Sequence, residues 1–513
     1  MYKIGEKPIT TEDYQHILFD GETLEIDPLA RERITNSYNF LETFHKDKII
    51  YGINTGLGPM AQYKIEEADR IKLQYNAIRS HAAGCGTPVD SVYVRSAMIT
   101  LINNFSRGYS GIHPEVVELI KELVNRNLIP VVPEHGGVGA SGDLVQLAHI
   151  ALVLIGEGEL MNNGSIVPTV EAFAQNGLKP ASVHIREGLS LINGTGFMTG
   201  TGFVNLIHAR NLMNWSLVAA TMINEVVRSF DDYFSKELNQ VKLHKGQNRV
   251  AELERKILGD SKLIRKREDH FFNNKNQENY VIADKVQEYY SIRCVPQILG
   301  PIMDAVEYAE EVLHNEANSA ADNPVIDHVH GNIFHGGNFH GDYISFEMDK
   351  LKIAVTKLSM LVDRWINYLM NDRLNGKLPP FVNLGKLGVN FGMQGAQFTA
   401  TSTVAENQSL SFPNYIHSIS NNNDNQDIVS MGTNSAQLAR KVVDNTYQVL
   451  AIALITLIQA IDYLNIEPRM SSFNREKYRQ LRNIVPRFVE DTIKYVEIKK
   501  IKDYLCQQFI SLV

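Results

Sequence analysis

The sequence has few of the residues that build disulfide-linked or metal-linked scaffolds. Its 513 residues include three cysteines, Cys85, Cys294 and Cys506, and two tryptophans. Three scattered cysteines exclude a disulfide framework and a cysteine-rich zinc site, and they fit a reducing compartment. We therefore expect a cytoplasmic protein.

The sequence also lacks a surplus of positive charge. It carries 50 basic and 58 acidic residues, for a net charge of −8, which gives no electrostatic reason to expect a nucleic-acid partner. The first 20 residues show no signal peptide. The longest apolar run, residues 449–461, is interrupted by Thr456 and Gln459 and is too short to span a bilayer. We expect no membrane partner.

Helical periodicity is the strongest structural signal. Apolar residues recur at alternating spacings of three and four from Leu351 to Tyr368, and further apolar residues between them predict a helix packed on several sides. Residues 434–464 predict a second long helix that stops before Pro468. Neither a strand–helix alternation nor an internal repeat is present. We predict a mainly α fold with a large central helical bundle.

The N-terminal part predicts shorter elements. Helical spacing is found in residues 65–80, 92–104, 114–127 and 144–155, while Asn162-Asn163-Gly164 predicts a hairpin. We therefore expect a smaller mixed domain over residues 1–195 and a long-helix domain over residues 196–513.

The densest cluster of small residues, residues 134–143, lies between two apolar segments. Its Gly137 to Gly142 portion matches the dinucleotide-binding pattern G-x-G-x-x-G, so an oxidoreductase is the alternative from a different functional class. The context disagrees, because Pro130 and Pro133 do not suit a central parallel strand. Asp143 would also put a negative charge where a phosphate should bind. We expect no bound nucleotide.

Another interpretation of this cluster is that its own backbone reacts. In Ala140-Ser141-Gly142, the nitrogen of Gly142 can attack the carbonyl carbon of Ala140, with little steric obstruction from either end. Loss of two waters, one of them from the Ser141 hydroxyl, gives a 4-methylidene-imidazol-5-one. The tripeptide alone is a weak signal, and the rest of the sequence has to decide.

Several motifs occur in an order that resembles one enzyme family, the histidine/phenylalanine/tyrosine ammonia-lyases. These motifs are Tyr51-Gly-Ile-Asn-Thr-Gly, Gly139-Ala-Ser-Gly-Asp-Leu, Asn193-Gly-Thr, Tyr290-Ser-Ile-Arg-Cys, Asp322-Asn-Pro, Gly336-Gly-Asn-Phe-His and Asn425-Gln-Asp. They cover about residues 48–435, and the chain is similar to the compact bacterial members. The resemblance implies autocatalytic formation of the electrophile from Ala140-Ser141-Gly142, and a homotetramer whose sites combine several chains.

The resemblance also implies roles for individual residues. Tyr51 would be the catalytic base, and Arg293, assisted by Asn323, would hold the substrate carboxylate. The remaining residues implied around the electrophile, the amine and the substrate ring are Asn193, Tyr290, Gly58, Leu144, Gln287, Phe339 and Asn422.

Two positions bear on which amino acid is bound. Gln426 stands where histidine lyases of the family carry glutamate, and a neutral amide suits a phenyl or phenol ring. His81, in the Ser80-His81 pair, can hydrogen-bond a phenol hydroxyl, although the same pair occurs in histidine lyases. We expect elimination of ammonia from L-tyrosine and related aromatic amino acids to give trans-4-hydroxycinnamate. Histidine ammonia-lyase, giving urocanate, and an aromatic aminomutase are the alternatives.

A metal site is the remaining interpretation of the histidines between residues 328 and 340. His328, His330, His335 and His340 lie in a glycine-rich segment without a supporting helical histidine motif. We expect no metal.

Overall fold

The computed structural model describes residues 1–272, 282, 285–417 and 419–512. Helices dominate it, and the prediction of a mainly α fold with a large helical bundle is confirmed. Up to residue 195 the elements are β1 Tyr2–Ile4, α1 Thr11–Phe19, β2 Leu24–Ile26, α2 Pro28–Phe44, α3 Arg70–His81, β3 Cys85–Pro88, α4 Ser91–Ser106, α5 Pro114–Asn125, β4 Ile129–Pro130, β5 Pro133–His135, α6 Leu144–Leu154, β6 Glu159–Asn162, β7 Ser165–Pro168, α7 Thr169–Asn176 and α8 Glu187–Ile192.

Longer helices follow. The elements are α9 Gly196–Val227, α10 Lys236–Gln240, α11 Lys245–Leu258, α12 Tyr290–Arg293, α13 Val295–Ala317, β8 Val325–Asp327, β9 Asn332–Phe334, α14 Asp342–Met370, α15 Asp372–Asn375, α16 Gln394–Leu410, α17 Gly432–Leu464, α18 Ser472–Ile484 and α19 Lys494–Gln507.

The chain forms two compact units, each built from three separate segments. The first unit comprises Met1–Ile207, Ala309–Lys350 and Pro413–Arg440, and the second comprises His208–Tyr308, Leu351–Phe412 and Lys441–Val513. The contiguous division of the chain between residues 195 and 196 stays a prediction.

Local sequence explains several element boundaries. Thr10 caps α1 by accepting a hydrogen bond from the Asp13 N–H, and the Asp13 carboxylate accepts from the Thr10 N–H in return, which forms a capping box. The hairpin of β6 and β7 turns at Asn163 and Gly164, both with positive φ, as a type I′ turn requires. One helix expectation needs correction, because helix α3 begins at Arg70, after a 3₁₀ turn at Glu67–Asp69.

The strands around the glycine cluster pair in an antiparallel manner. Strand β4 pairs with β6, and β5 pairs with β3. A dinucleotide-binding unit would need parallel strands joined through a helix here. The residues that resemble G-x-G-x-x-G therefore lie in a different structural context.

Helix α17 is the longest helix among the described residues. Of these helices it alone has the length and composition of a membrane-crossing helix, and 78% of its most apolar stretch is buried inside the protein. Burial on this scale is what the core helix of a bundle requires.

Candidate active site

A cavity of about 690 Å³ lies in the first unit. Its wall is formed by the loop after α2, the end of α3, the glycine cluster, and the Asn-rich segment before α17. Eleven of the residues predicted from the sequence line it, and they are Tyr51, Gly58, Ser80, His81, Ser141, Leu144, Asn193, Asn323, Phe339, Asn422 and Gln426. The backbone of Ala140 and Gly142 flanks Ser141 and is buried.

Gly142 is in a position where a side chain does not fit. Its φ is +74°, and a Cβ placed on it would lie 1.9 Å from the carbonyl oxygen of Gly194. The two segments lie this close because Gly142 and Gly194 form an isolated β-bridge. In it, the Asp143 N–H donates to the Gly194 carbonyl at 2.9 Å, and the Gly194 N–H donates to the Ser141 carbonyl at 3.3 Å. Only glycine at position 142 permits this packing.

The other side of the tripeptide is also held by backbone hydrogen bonds. The carbonyl of Val138 accepts from the Met431 N–H at 2.9 Å, and the carbonyl of Gly139 accepts from the Gly341 N–H at 3.0 Å. The donors lie at the starts of α17 and α14. These two hydrogen bonds fix the backbone that leads into the tripeptide.

Asp143 occupies a helix N-terminus itself. Its Oδ2 accepts hydrogen bonds from the Phe197 and Met198 N–H groups of α9, at 2.9 and 2.8 Å, and its Oδ1 accepts from the Thr433 hydroxyl. Burial raises the pKa of Asp143 to about 7, although these hydrogen bonds act in the opposite direction. The Asp143 side chain therefore caps the N-terminus of α9 and not that of α6, the helix that follows the glycine cluster.

Tyr51 lies in a loop that buried neighbours anchor to the core of the first unit. Its neighbours Ile50 and Ile53 are buried against Leu41 of α2 and against β8 and β9. The Tyr51 hydroxyl accepts a hydrogen bond from the Gly58 N–H at 2.9 Å, and the Tyr51 N–H donates to His335 Nε2 at 3.3 Å. The Tyr51 hydroxyl therefore faces the part of the cavity wall that Gly58, later in the same loop, forms.

His81 ends α3 at the edge of the cavity. Its Nδ1 lies 2.7 Å from the carbonyl oxygen of Ala77, and because a carbonyl only accepts, Nδ1 carries the proton. In the neutral ring, Nε2 is then left with a lone pair. Ser80 lies beside this ring, with its hydroxyl 3.2 Å from the same Nδ1.

Gln426 links the Asn-rich segment to the glycine cluster. Its side chain is buried and its Nε2 donates to the Ser141 hydroxyl at 2.9 Å. The segment before it turns through Asn422, Asn423 and Asp424, which all have φ between +52° and +58°. Asn and Asp tolerate this left-handed conformation better than other side chains, which explains the unusual composition.

Three predicted residues do not line the cavity and belong to the second unit. The Arg293 guanidinium donates to Gln287 Oε1 and lies 4.6 Å from the ring centre of Tyr290. Tyr290 is 70% exposed. Their roles in a site stay predictions.

Three of the four histidines in the 328–340 segment contact separate partners, and the buried Nδ1 of His328 has no hydrogen-bond partner among the described residues. His330 donates to Asp327 at 2.7 Å, His335 accepts from Tyr51, and His340 Nε2 lies 3.4 Å from the carbonyl of Ile428. Within the described ranges, no group of three or more His, Cys, Asp or Glu side chains is arranged to hold a metal ion.

Sequence reasoning missed the buried residues behind the cavity. Arg186 is fully buried and pairs with Asp322, which in turn contacts Asn193. Asp322 could have been noticed through the Asp-Asn-Pro motif. Arg186 carries no such signal, because a lone arginine is usually a surface residue.

The profile of the aromatic amino acid lyases matches residues 9–483 of the chain. The chain belongs to the aromatic amino acid lyase family. It is therefore an enzyme that cleaves carbon–nitrogen bonds, as the ammonia-lyase resemblance predicted.

Relatives within the aromatic amino acid lyases carry two kinds of name. The chain is 37% identical to a histidine ammonia-lyase of Bacillus cytotoxicus, over 97% of this chain and 95% of the relative. It is also 37% identical to a tyrosine 2,3-aminomutase of Chondromyces crocatus, over 96% and 93%. The crystal structure of a tyrosine aminomutase from Streptomyces globisporus is similar with a TM-score of 0.94 and 32% identity, over 99% and 97%. The relatives agree on the family and differ in the amino acid and in the reaction named.

Proposed function

We propose that this lyase eliminates ammonia from L-tyrosine, and from related aromatic amino acids, to give trans-4-hydroxycinnamate. The observation that carries the proposal is the neutral amide of Gln426, which lies buried 2.9 Å from the Ser141 hydroxyl in the cavity. A carboxylate in this place would favour an imidazolium side chain through charge pairing. A neutral amide favours an uncharged ring.

The residues around Ser141 fit a methylidene-imidazolone formed from Ala140, Ser141 and Gly142. Gly142 has no side chain to obstruct the attack of its nitrogen on Ala140. The β-bridge between Gly142 and Gly194 holds this end of the tripeptide in place. Ser141, whose hydroxyl would leave as water, lines the cavity. The group would supply an electrophile for the substrate amine, so that the amine becomes a better leaving group.

Tyr51 is proposed to accept the β-proton of the substrate. Its hydroxyl is already held by the Gly58 N–H, which orients the oxygen and stabilises negative charge on it. Asn193 and Phe339, which also line the cavity, would contact the amine and the ring.

Arg293, Gln287 and Tyr290 are proposed to complete the site of another copy in a homotetramer. Arg293 can bind a carboxylate through two parallel hydrogen bonds. The second unit also exposes large aromatic residues, including Phe391 (63%) and Phe398 (67%), which a partner copy would cover. We propose a cytoplasmic location, since the three cysteines are free in the described structure.

His81 supports tyrosine over phenylalanine. With Nδ1–H directed to Ala77, Nε2 of the neutral ring can accept a hydrogen bond from a phenol hydroxyl. His81 is half-buried, and a bound substrate that covers its ring would make the site discriminate against the analogue that lacks the hydroxyl.

A second candidate is histidine ammonia-lyase, giving urocanate. The relative from Bacillus cytotoxicus and its 95% coverage favour it. An aromatic aminomutase is favoured in the same way by the relative from Chondromyces crocatus. Gln426 and His81 are the reasons for preferring tyrosine elimination.

The test is incubation of the purified full-length enzyme with L-tyrosine, L-phenylalanine or L-histidine, each without added cofactor. Ultraviolet absorbance reports the unsaturated acid, and chromatography reports any β-amino acid. We expect the highest kcat/KM with tyrosine. Urocanate formed faster than 4-hydroxycinnamate would overturn the substrate, predominant β-tyrosine would indicate a mutase, and a requirement for nicotinamide would overturn the whole proposal.

The control for the electrophile is Ser141→Ala. This variant should fold and be inactive, because it has no hydroxyl to lose. Mass spectrometry should show the wild type lighter than its sequence mass by two waters and the variant not dehydrated. An active wild type with an unmodified mass would contradict the backbone electrophile.

A further inference from the structure

A buried ion pair lies directly behind the cavity. The side chain of Arg186 is 0% exposed and that of Asp322 is 5% exposed. The guanidinium donates from Nη2 to Asp322 Oδ1 at 2.8 Å and from Nη1 to Oδ2 at 3.3 Å. Arg186 also donates to Ser190 Oγ and to the carbonyl of Pro324. The Asp322 carboxylate is therefore held by Arg186, and Arg186 is held in turn by Ser190 and Pro324.

Asp322 reaches the cavity through two residues. Its Oδ1 accepts hydrogen bonds from Asn193 Nδ2 at 3.2 Å and from the Asn323 N–H at 2.8 Å. Asn193 Nδ2 also lies 3.3 Å from the Asn323 carbonyl oxygen. Both asparagines line the cavity, whereas Asp322 does not.

These contacts settle which way the Asn193 amide points. Carboxylate and carbonyl oxygens accept hydrogen bonds and cannot donate them, so the NH₂ group of Asn193 must face Asp322 and Asn323. The amide oxygen is then the atom that remains for a bound ligand. An oxygen in this place accepts from the amine of an amino acid and would repel its carboxylate.

We infer that Arg186 and Asp322 are positioning residues that hold the Asn193 amide with its oxygen toward the substrate amine. The inference rests on the proposed ammonia elimination and extends it to two residues that touch no substrate. Asp322 acts through Asn193, and Arg186 acts through Asp322.

The variant that tests the inference is Asp322→Asn, which keeps the shape of the side chain. An amide at position 322 has one acceptor oxygen in place of two, so its NH₂ group must face a donor of Arg186 or of Asn193, and the Asn193 amide is held less firmly. We expect kcat to fall about tenfold, which is a typical coupling between contacting residues, and KM to change less. The mass should still show the loss of two waters.

A double-mutant cycle separates positioning from a general loss of stability. In an Asn193→Ala background, Asp322→Asn should change kcat little, because the amide that it orients is absent. A merely structural role would lower kcat by the same factor in both backgrounds, and that result would overturn the inference. If Asp322→Asn does not fold, Arg186→Lys takes its place in the cycle, with the same expectation, because lysine lacks the two-pronged geometry.

Glu187→Gln is the matched control. Glu187 is an equally buried neighbour whose carboxylate accepts from the His113 N–H at 2.9 Å and the His184 N–H at 2.6 Å, and it does not line the cavity. This variant should lower the melting temperature and leave kcat unchanged. If the wild type shows neither dehydration nor lyase activity, the proposed function fails. If the wild type is active and the cycle is additive, only the positioning inference fails.

Discussion

The side-chain amide of Gln426 donates a hydrogen bond to the Ser141 hydroxyl at 2.9 Å, in a cavity where Gln426 is almost completely buried. The residue that is proposed to be dehydrated is therefore in direct contact with the residue that is proposed to select an uncharged substrate. Bulk water and salt screen a charge at such a position much less than they screen a surface charge.

Gln426→Glu should shift the preference from tyrosine toward histidine. A buried carboxylate can form a charge-assisted hydrogen bond with an imidazolium, which contributes about 1.5–3 kcal/mol, so the ratio of kcat/KM for histidine over tyrosine should rise at least about tenfold. Steady-state kinetics with both amino acids measures the ratio, after mass spectrometry has confirmed dehydration. Asn425→Asp, which adds the same charge to a neighbouring cavity residue, is the control. An equal shift in both variants would show a general charge effect.

His81→Leu should reduce discrimination between tyrosine and phenylalanine. The variant removes the lone pair that is proposed to accept from the phenol, and a neutral hydrogen bond contributes about 1 kcal/mol. The ratio of kcat/KM for tyrosine over phenylalanine should fall by about fivefold to tenfold. Ser80→Ala alters the neighbouring cavity residue and should change the ratio little. A ratio unaffected by loss of the imidazole would remove His81 from the specificity argument.

Gly142→Ala should prevent maturation of the tripeptide. The new Cβ would meet the Gly194 carbonyl at 1.9 Å, so the bridge between the two segments has to open. Gly177→Ala, at the end of α7, is the matched control, because Gly177 also has a positive φ, +64°, but a Cβ added there would have no atom within 4 Å. We expect the control to lose only roughly 1–2 kcal/mol, from backbone strain. Thermal melts and intact mass would be measured for both, and dehydration of Gly142→Ala at the wild-type rate would contradict the packing argument.

Short-range patterns predicted the local elements of this fold well. Asn163-Gly164 specified its turn because the two positive φ values are a property of those residues themselves. Helix α17 was predicted within two residues of its start and ended at the predicted Leu464, since apolar spacing and Pro468 are both local signals.

Long-range contacts were the part that the sequence could not provide. Asp143 was judged by its own helix, α6, yet its carboxylate caps α9, 54 residues away. The burial of Arg186 depends on Asp322, 136 residues distant. The residues around Ser141 were found only because a resemblance to known lyases grouped their motifs, and no periodicity in the chain relates Tyr51 to Gln426.

The pH dependence of stability should report the burial of Asp143. Its pKa in the folded protein is about 7, above the ordinary value of 3.8, so the folded state holds the proton more tightly than the unfolded state does. The stabilising contribution is therefore fully present below pH 3.8 and is lost as the pH rises to about 7. Asp143→Asn can keep the hydrogen bonds to α9 and to Thr433 without any titration. Its melting temperature relative to the wild type should increase from about pH 5 to about pH 8.

Glu406→Gln is the control, because hydrogen bonding from Lys441 lowers the pKa of Glu406. The difference in melting temperature between this variant and the wild type should be flat over this range. A flat difference for Asp143→Asn as well would mean that Asp143 is ionised throughout the range and that α9 stabilises its charge more than burial destabilises it.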